Sequence, residues 1–349
     1  MILPHSEGSL ILLMLICMLC CGSWAVGYKM VRKYRFELFY FDFSLGLGLL
    51  ALICAFTVGS LGWDGFNFTD DLRNAHKQTL LWAFLAAVIF NFGNMLMMAA
   101  VSVAGLALAF PTAFGVAMVV GVWMDFLGRP GGNATILLGG TLLILVSVIL
   151  NSSGYSHLKI LQHEALARAG KAKSTRRPSS IKGVILAVVG GLVMGTYAPL
   201  LVRAQDPDFG VGPYALLFLF AAGVFFSTFV YNLFFMNLPV EGDPLEMGDY
   251  LKAPLQNHFY GFGSGVIWGI GTLAAFVATT PKGDTHLGPP LATLLGQAAP
   301  IVAALWGLLV WRETKGGDTR VRAFAVITLV LFALGLAVFS WAPLWAVKT

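Results

Sequence analysis

Ten apolar runs, each long enough to cross a hydrocarbon core of about 30 Å, follow one another through the 349 residues with short joints between them. Lipid offers no partner to a backbone N–H or C=O, so runs of this length are helices that satisfy their own backbones. The runs lie at about residues 8–29, 38–62, 78–103, 105–127, 134–155, 182–203, 212–238, 258–280, 288–311 and 320–345. They predict an all-α polytopic membrane protein with ten transmembrane helices. The third and fourth runs are separated only near Ala104-Gly105, which predicts two adjacent antiparallel helices.

Charge sets the orientation. Only 11% of residues are charged, and although the formal net charge of +5 could suit nucleic acid, the basic residues sit in joints between apolar runs. No nucleic-acid partner is expected. Sixteen of the 22 Lys and Arg residues fall on one side of the ten spans: Lys29, Arg32, Lys33, Arg35, Lys159, Arg168, Lys171, Lys173, Arg176, Arg177, Lys182, Lys252, Arg312, Lys315, Arg320 and Arg322. Arg73, Lys77, Arg129, Arg203, Lys282 and Lys348 fall on the other. By the positive-inside rule the first side is cytoplasmic, with both termini outside and the chain a multi-pass protein of the cell (inner) membrane. The first run has no basic residue before it and four after it, which reads as a retained helix and not a cleaved leader. Cys17, Cys20, Cys21 and Cys54 all lie within apolar runs and read as small packing residues.

The basic polar segment Ser156 to Ile181 divides the chain into residues 1–155 and 182–349, with five spans in each. Because five is odd, equivalent halves would enter the membrane in opposite senses. Internal similarity points the same way. Gly22-Ser23-Trp24-Ala25 in the first span returns as Gly195-Thr196-Tyr197-Ala198 in the sixth, and the third-span stretch Ala87 to Asn94 returns as Gly265 to Thr272 in the eighth. Pro111 and Trp123 in the fourth are echoed by Pro300 and Trp311 in the ninth. An inverted repeat of two five-helix halves implies alternating access, with a solute site near the midplane between them.

Several polar residues sit where hydrocarbon would leave them unsatisfied. Asn91 and Asn94 share one face of the third span, and the ninth span carries Gln297 together with a helix-breaking Pro300. Interhelical hydrogen bonding is one reading of these amides. The other is that Asn94, Gln297 and Thr272 hydrogen-bond a small polar solute in a cavity. Trp24, Tyr28, Tyr197, Trp268 and Trp306 are packing or interface aromatics singly; with the amides they form a candidate pocket whose rings stack on a flat solute. Candidate substrate-binding residues are therefore Trp24, Asn91, Asn94, Tyr197, Trp268, Thr272, Gln297 and Trp306. Gly261, Gly265 and Gly269 form a small-residue stripe that either packs the eighth helix closely or lets it slide.

No carboxylate lies at the centre of a span. Asp42, Asp125 and Glu313, near span ends, are the candidates for proton coupling, Asp42 foremost, with His258 as a further one; the other reading pairs Asp42 with Lys33 or Arg35 and Glu313 with Arg312 or Arg320, and leaves His258 solvated at the interface. Other chemistry finds no foothold. Ala165 stands where a phosphate loop ending at Lys171 needs glycine, Gly263-Ser264-Gly265 lacks the nucleophile-elbow spacing, and no His-Glu-x-x-His pattern occurs. No enzyme activity, cofactor or metal is expected.

Gln297-x-x-Pro300 followed by Trp306-Gly307 and Glu313 resembles the ninth helix of the ureide permeases, within the drug/metabolite transporter superfamily. Gly22-Ser23-Trp24 is similar to their first-helix Gly-Thr-Trp, Gly93-Asn94 to their third-helix Gly-Asn, and Asp42 and Asp125 to aspartates of their second and fourth helices. Bacterial glucose, ribose and rhamnose carriers share the Gly-Asn pair. The chain departs from the ureide permeases at Met98, where they carry glutamine, and in its short central segment. The resemblance implies proton-coupled uptake (symport) of a small polar solute such as a ureide, a nucleobase or a sugar. An uncoupled facilitator and an exporter of drugs or metabolites are the alternatives.

Overall fold

The computed structural model describes residues 1–128, 133–170, 181–205, 210–280 and 289–345. Of the basic residues used above, Arg129, Lys171, Lys173, Arg176, Arg177, Lys282 and Lys348 lie outside the described residues. All ten expected spans are helical: α1 (Glu7–Met30), α2 (Phe36–Phe56), α3 (Lys77–Ala104), α4 (Leu106–Gly128), α5 (Ala134–Arg168), α6 (Ile181–Ala204), α7 (Pro213–Asn237), α8 (Leu255–Thr279), α9 (Leu291–Val310) and α10 (Thr319–Leu344). Among the described residues there is no strand. Exposed Leu49, Ile53 and Phe56 on α2 and Val230 and Leu233 on α7 belong to the apolar exterior that lipid covers. The protein is a multi-pass, all-helical membrane protein.

Two edges differ from expectation. The second span stops at Phe56 instead of residue 62, because Thr57 leaves the helical region and turns both its N–H and its hydroxyl onto the Ile53 carbonyl. The fifth continues past residue 155 to Arg168, 35 residues or about 52 Å at 1.5 Å per residue. Residues 156–168 hold good helix formers and no Gly or Pro, so the start of the expected linker prolongs α5.

The start of α1 lies beside the end of α2 and the start of α7, where Ile2 donates its N–H to Val58 and accepts from the Tyr214 hydroxyl. Asn133, before α5, donates to Ala342 at the end of α10. We call this the terminal face. On the opposite, basic face the Asn257 amide donates to the Arg32 carbonyl and the Arg35 guanidinium to that of Asp243.

Three spans are interrupted: α1 at Trp24-Ala25, α6 at Thr196-Tyr197 and α9 at Gln297-Ala298. In α4, Pro111 stays inside a continuous helix but lacks an N–H, freeing the Ala107 carbonyl one turn earlier. Asn151 of α5 donates to Ala107 at 3.2 Å and to Leu108 at 3.1 Å, which satisfies the freed carbonyl.

The helices form two groups that each mix early and late spans. α1 packs against α8 and α9, while α6 packs against α3 and α4; α2 bridges α8 and α7, α7 also packs on α3, and α5 pairs with α10. The α2–α8 contact is at backbone distance: a methyl on Gly265 would lie 2.0 Å from the Phe43 carbonyl oxygen, and one on Gly46 2.1 Å from that of Phe262. The glycine stripe of α8 thus faces α2 without slack and anchors the helix.

Candidate functional site

Between the two groups lies a cavity of about 400 Å³, reaching from mid-membrane toward the terminal face. Its size falls within the usual range for small-molecule sites, and its lining fits their usual pattern of apolar and aromatic walls with few polar groups. Phe90, Phe114, Tyr197, Phe220 and Trp268 supply rings, while Thr272, Thr293 and Gln297 supply hydrogen-bonding groups. A second lobe of about 280 Å³ shares Phe90, Phe114, Tyr197, Thr293 and Gln297 and extends to Asp125.

The break in α9 puts Gln297 there. The first segment of the helix ends at Gly296, and the chain resumes helical form at Ala299 with Pro300 in its first turn, where proline's missing N–H costs nothing. Gln297 is left in the gap, exposed to the cavity. Tyr197 occupies the corresponding gap in α6.

The inner end of the cavity is a floor of rings. Phe90 stacks on Trp268 at 5.4 Å and meets Tyr197 at 5.2 Å and Phe220 at 5.4 Å. Beneath it, Phe43 lies 5.9 Å from Trp268 and 4.6 Å from Trp24, which in turn meets Phe110 of α4 at 6.3 Å. Closer to the basic face, one Glu313 oxygen lies 2.7 Å from the Lys29 ammonium and accepts the Leu106 N–H at 3.0 Å. The other accepts the Ala107 N–H at 2.7 Å. One carboxylate thereby joins α1 to the first turn of α4, where helix amides favour an anion.

Local backbone makes this contact possible. The end of α9 widens into a π-turn over Trp306–Val310, and Arg312 adopts φ 48°, which swings Glu313 back toward α4. Gly105, the single residue between α3 and α4, has φ 91°, and a Cβ there would lie 2.6 Å from the Glu313 carboxyl carbon. Glycine is required at that position on both counts.

Asp42 sits at the centre of a second buried cluster. Its oxygens accept from the Tyr34 and Tyr250 hydroxyls, each at 2.6 Å, and lie 3.0 and 3.1 Å from the His258 Nδ1. The carboxylate is 3% exposed and links α2 to α8 near the basic face. His258 therefore joins Asp42 in one cluster. Asp125 stands exposed in the second lobe, away from both.

The structure gathers Tyr197, Trp268, Thr272 and Gln297 around one cavity and leaves the other four candidates elsewhere. Asn91 donates to the Val224 carbonyl, Ser227 and Thr228 of α7, which is the interhelical arrangement. Trp306 donates its indole N–H to the Ser23 hydroxyl at 2.9 Å, tying α9 to α1. Asn94 donates to the Tyr40 hydroxyl at 2.7 Å and, like Trp24, is buried below the floor. Asn94 and Gln297 do not share a void: α3 and α8 run in opposite directions, so Asn94 lies toward the basic face and Thr272 toward the terminal face.

Sequence reasoning missed Tyr40, Tyr34, Tyr250 and Lys29. Tyr40 and Tyr34 could have been flagged, since a phenol in an apolar run near Asp42 needs a partner. For Asn91, we expect Asn91→Leu to lower stability by about 1–2 kcal/mol while changing solute affinity less than about twofold. A melting curve and a binding isotherm on the same preparation check this; a large affinity loss would return Asn91 to the solute site.

Among the described residues no group of His, Cys, Asp and Glu could hold a metal ion. The ureide permease family model matches residues 39–182. Ureide permease 1 of Arabidopsis thaliana is 22% identical over 387 residues, covering 97% of this chain and 98% of that one. Ureide permease 5 of the same plant is 23% identical, covering 96% and 95%. Probable ureide permease A3 of Vigna unguiculata is 29% identical over 168 residues, 45% of each chain. A protein of known crystal structure, 18% identical, superposes with a TM-score of 0.53 over 99% of this chain and 100% of its own, a likeness of fold alone. By sequence, this ten-span membrane protein is similar to ureide permeases of Arabidopsis thaliana along nearly its whole length.

Proposed function

We propose that the protein is a secondary active transporter that carries a ureide or similar flat, neutral solute by alternating access, driven by protons bound at Asp42. The observation that carries this reading is a solute-sized cavity reaching toward one face while a ring floor and the Glu313 contacts close the way to the other. An inverted repeat fits the contact scheme. Exchanging every span with the one five places on turns α1–α8 into α6–α3, α2–α8 into α7–α3, and leaves α2–α7 and α5–α10 as they are. Ring side chains on several walls, Phe90, Phe114, Tyr197, Phe220, Trp268 and Phe276, support stacking on a flat solute. With the basic face cytoplasmic, both termini lie outside and the cavity faces the exterior. The relatives' name, permease, supports a transporter and not an enzyme.

Proton coupling rests on the Asp42 cluster, in which one buried carboxylate links α2 to α8 near the basic face. Uptake of labelled allantoin into proteoliposomes, with and without an acidic exterior, tests the scheme. Wild-type protein is expected to accumulate solute only with the gradient, and Asp42→Asn to lose accumulation by about tenfold or more while solute exchange continues. A facilitator is favoured by one observation: among the described residues no carboxylate lines the larger cavity. Gradient-independent equilibration by the wild type would establish that reading in place of coupling.

A further inference from the structure

Below the ring floor, the indole Nε1 of Trp24 and the carbonyl Oδ1 of Asn94 have no hydrogen-bond partner. Both residues are 1% exposed. A buried polar atom without a partner is costly, and here an unused donor and an unused acceptor belong to one ring cluster: Phe43 is 4.6 Å from Trp24 and 4.9 Å from Tyr40, which holds the Asn94 amide. Asn91, Asn94 and Asn232 each carry an unpartnered carbonyl oxygen while donating the amide across a helix interface, Asn91 to α7, Asn94 to Tyr40 of α2 and Asn232 to the Glu37 carbonyl of α2; of the three, Asn94 is the one joined through Tyr40 and Phe43 to the ring cluster that holds Trp24.

Position supplies a second, independent argument. Trp24 sits at the break of α1 as Tyr197 sits at the break of α6, and Asn94 takes the place along α3 that Thr272 takes along α8. Tyr197 and Thr272 line the open cavity. Trp24 and Asn94 are their counterparts at the opposite depth, where Trp24 of one helix group meets Phe110 of the other. Parting the groups at the basic face would expose both unpaired atoms.

We infer that Trp24 and Asn94, steadied by Tyr40, form a second solute station that is closed in this state and receives the solute once the Phe90–Trp268 floor yields. Its chemistry selects an N–H beside a carbonyl: the indole N–H donates to the solute carbonyl and Asn94 Oδ1 accepts from the adjoining N–H. Cyclic ureides and other small lactams present that edge. The inference rests on the transport reading above and adds a second station and the recognised edge.

The test uses full-length protein in liposomes with hydantoin, whose ring carries N–H beside carbonyl, and 1,3-dimethylhydantoin, which lacks the N–H. Wild-type protein is expected to carry hydantoin about tenfold faster or more. Trp24→Phe and Asn94→Leu are expected to cut hydantoin turnover by about tenfold or more with Kd changed less than about threefold, and Asn94→Leu to bring the two rates to about equality. Asn94→Thr, which keeps a small acceptor, is expected to retain more turnover than Asn94→Leu, separating lost recognition from lost folding. Wild-type turnover and N–H preference in both Trp24→Phe and Asn94→Leu would overturn the station while leaving transport intact. Failure of the wild type to bind or carry either compound would overturn the transport reading and the station with it.

Discussion

Replacing Gln297 with leucine is expected to weaken solute binding by about 10- to 100-fold, or about 1–3 kcal/mol, while leaving the melting temperature nearly unchanged. The asymmetry follows from where the side chain is. Gln297 stands in the break of α9, faces the larger cavity and its neighbouring lobe, and its carboxamide has no hydrogen-bond partner among the described residues. Removing it deprives a bound solute of a hydrogen bond and leaves no protein group stranded. Leucine also fills the space, so the α9 break keeps its shape. Calorimetric titration of allantoin alongside a melting curve reads both quantities. Unchanged affinity would remove Gln297 from solute recognition and leave the aromatic walls with Thr272 and Thr293 to account for it.

Glu313→Ala is expected to destabilise the arrangement closed on the basic face by about 2 kcal/mol, shifting its balance with the opposite arrangement by about 30-fold. The substitution strands the Leu106 and Ala107 amides and leaves Lys29 without its partner. The pair is partly solvated, with side chains 24% and 14% exposed, so the figure is set below that of a fully buried pair. The readout is maleimide labelling of Ala25→Cys in a background free of the four native cysteines, with reagent supplied from the basic face. Ala25 is 1% exposed in this state, so labelling reports opening. The rate is expected to rise about 30-fold with Glu313→Ala. An unchanged rate would show that the aromatic contacts keep this face closed without the carboxylate.

The ten spans were legible because membrane helices announce themselves by length and hydropathy, and their observed edges depart mainly where Thr57 ends α2 and where α5 runs on. The recurrence of Gly22 to Ala25 in Gly195 to Ala198 falls where both helices break. Polar residues within a span stand out in the sequence, but their direction around the helix is not legible. Asn91 and Asn94 are three apart, yet one is committed to α7 and the other to α2. Depth was misjudged for a physical reason: matching positions in oppositely inserted helices sit on opposite sides of the midplane. The Glu313 contacts were hidden because they depend on a π-turn and a left-handed Arg312, and no motif spells out either.

The groups facing each other across the cavity are not the two stretches that a ribosome makes first and second. α1 from the first stretch belongs with α8 and α9, and α3 and α4 belong with α6 from the second. Early helices therefore remain without their final neighbours until late ones have been synthesised, and folding must be completed by interlacing instead of by joining two finished modules.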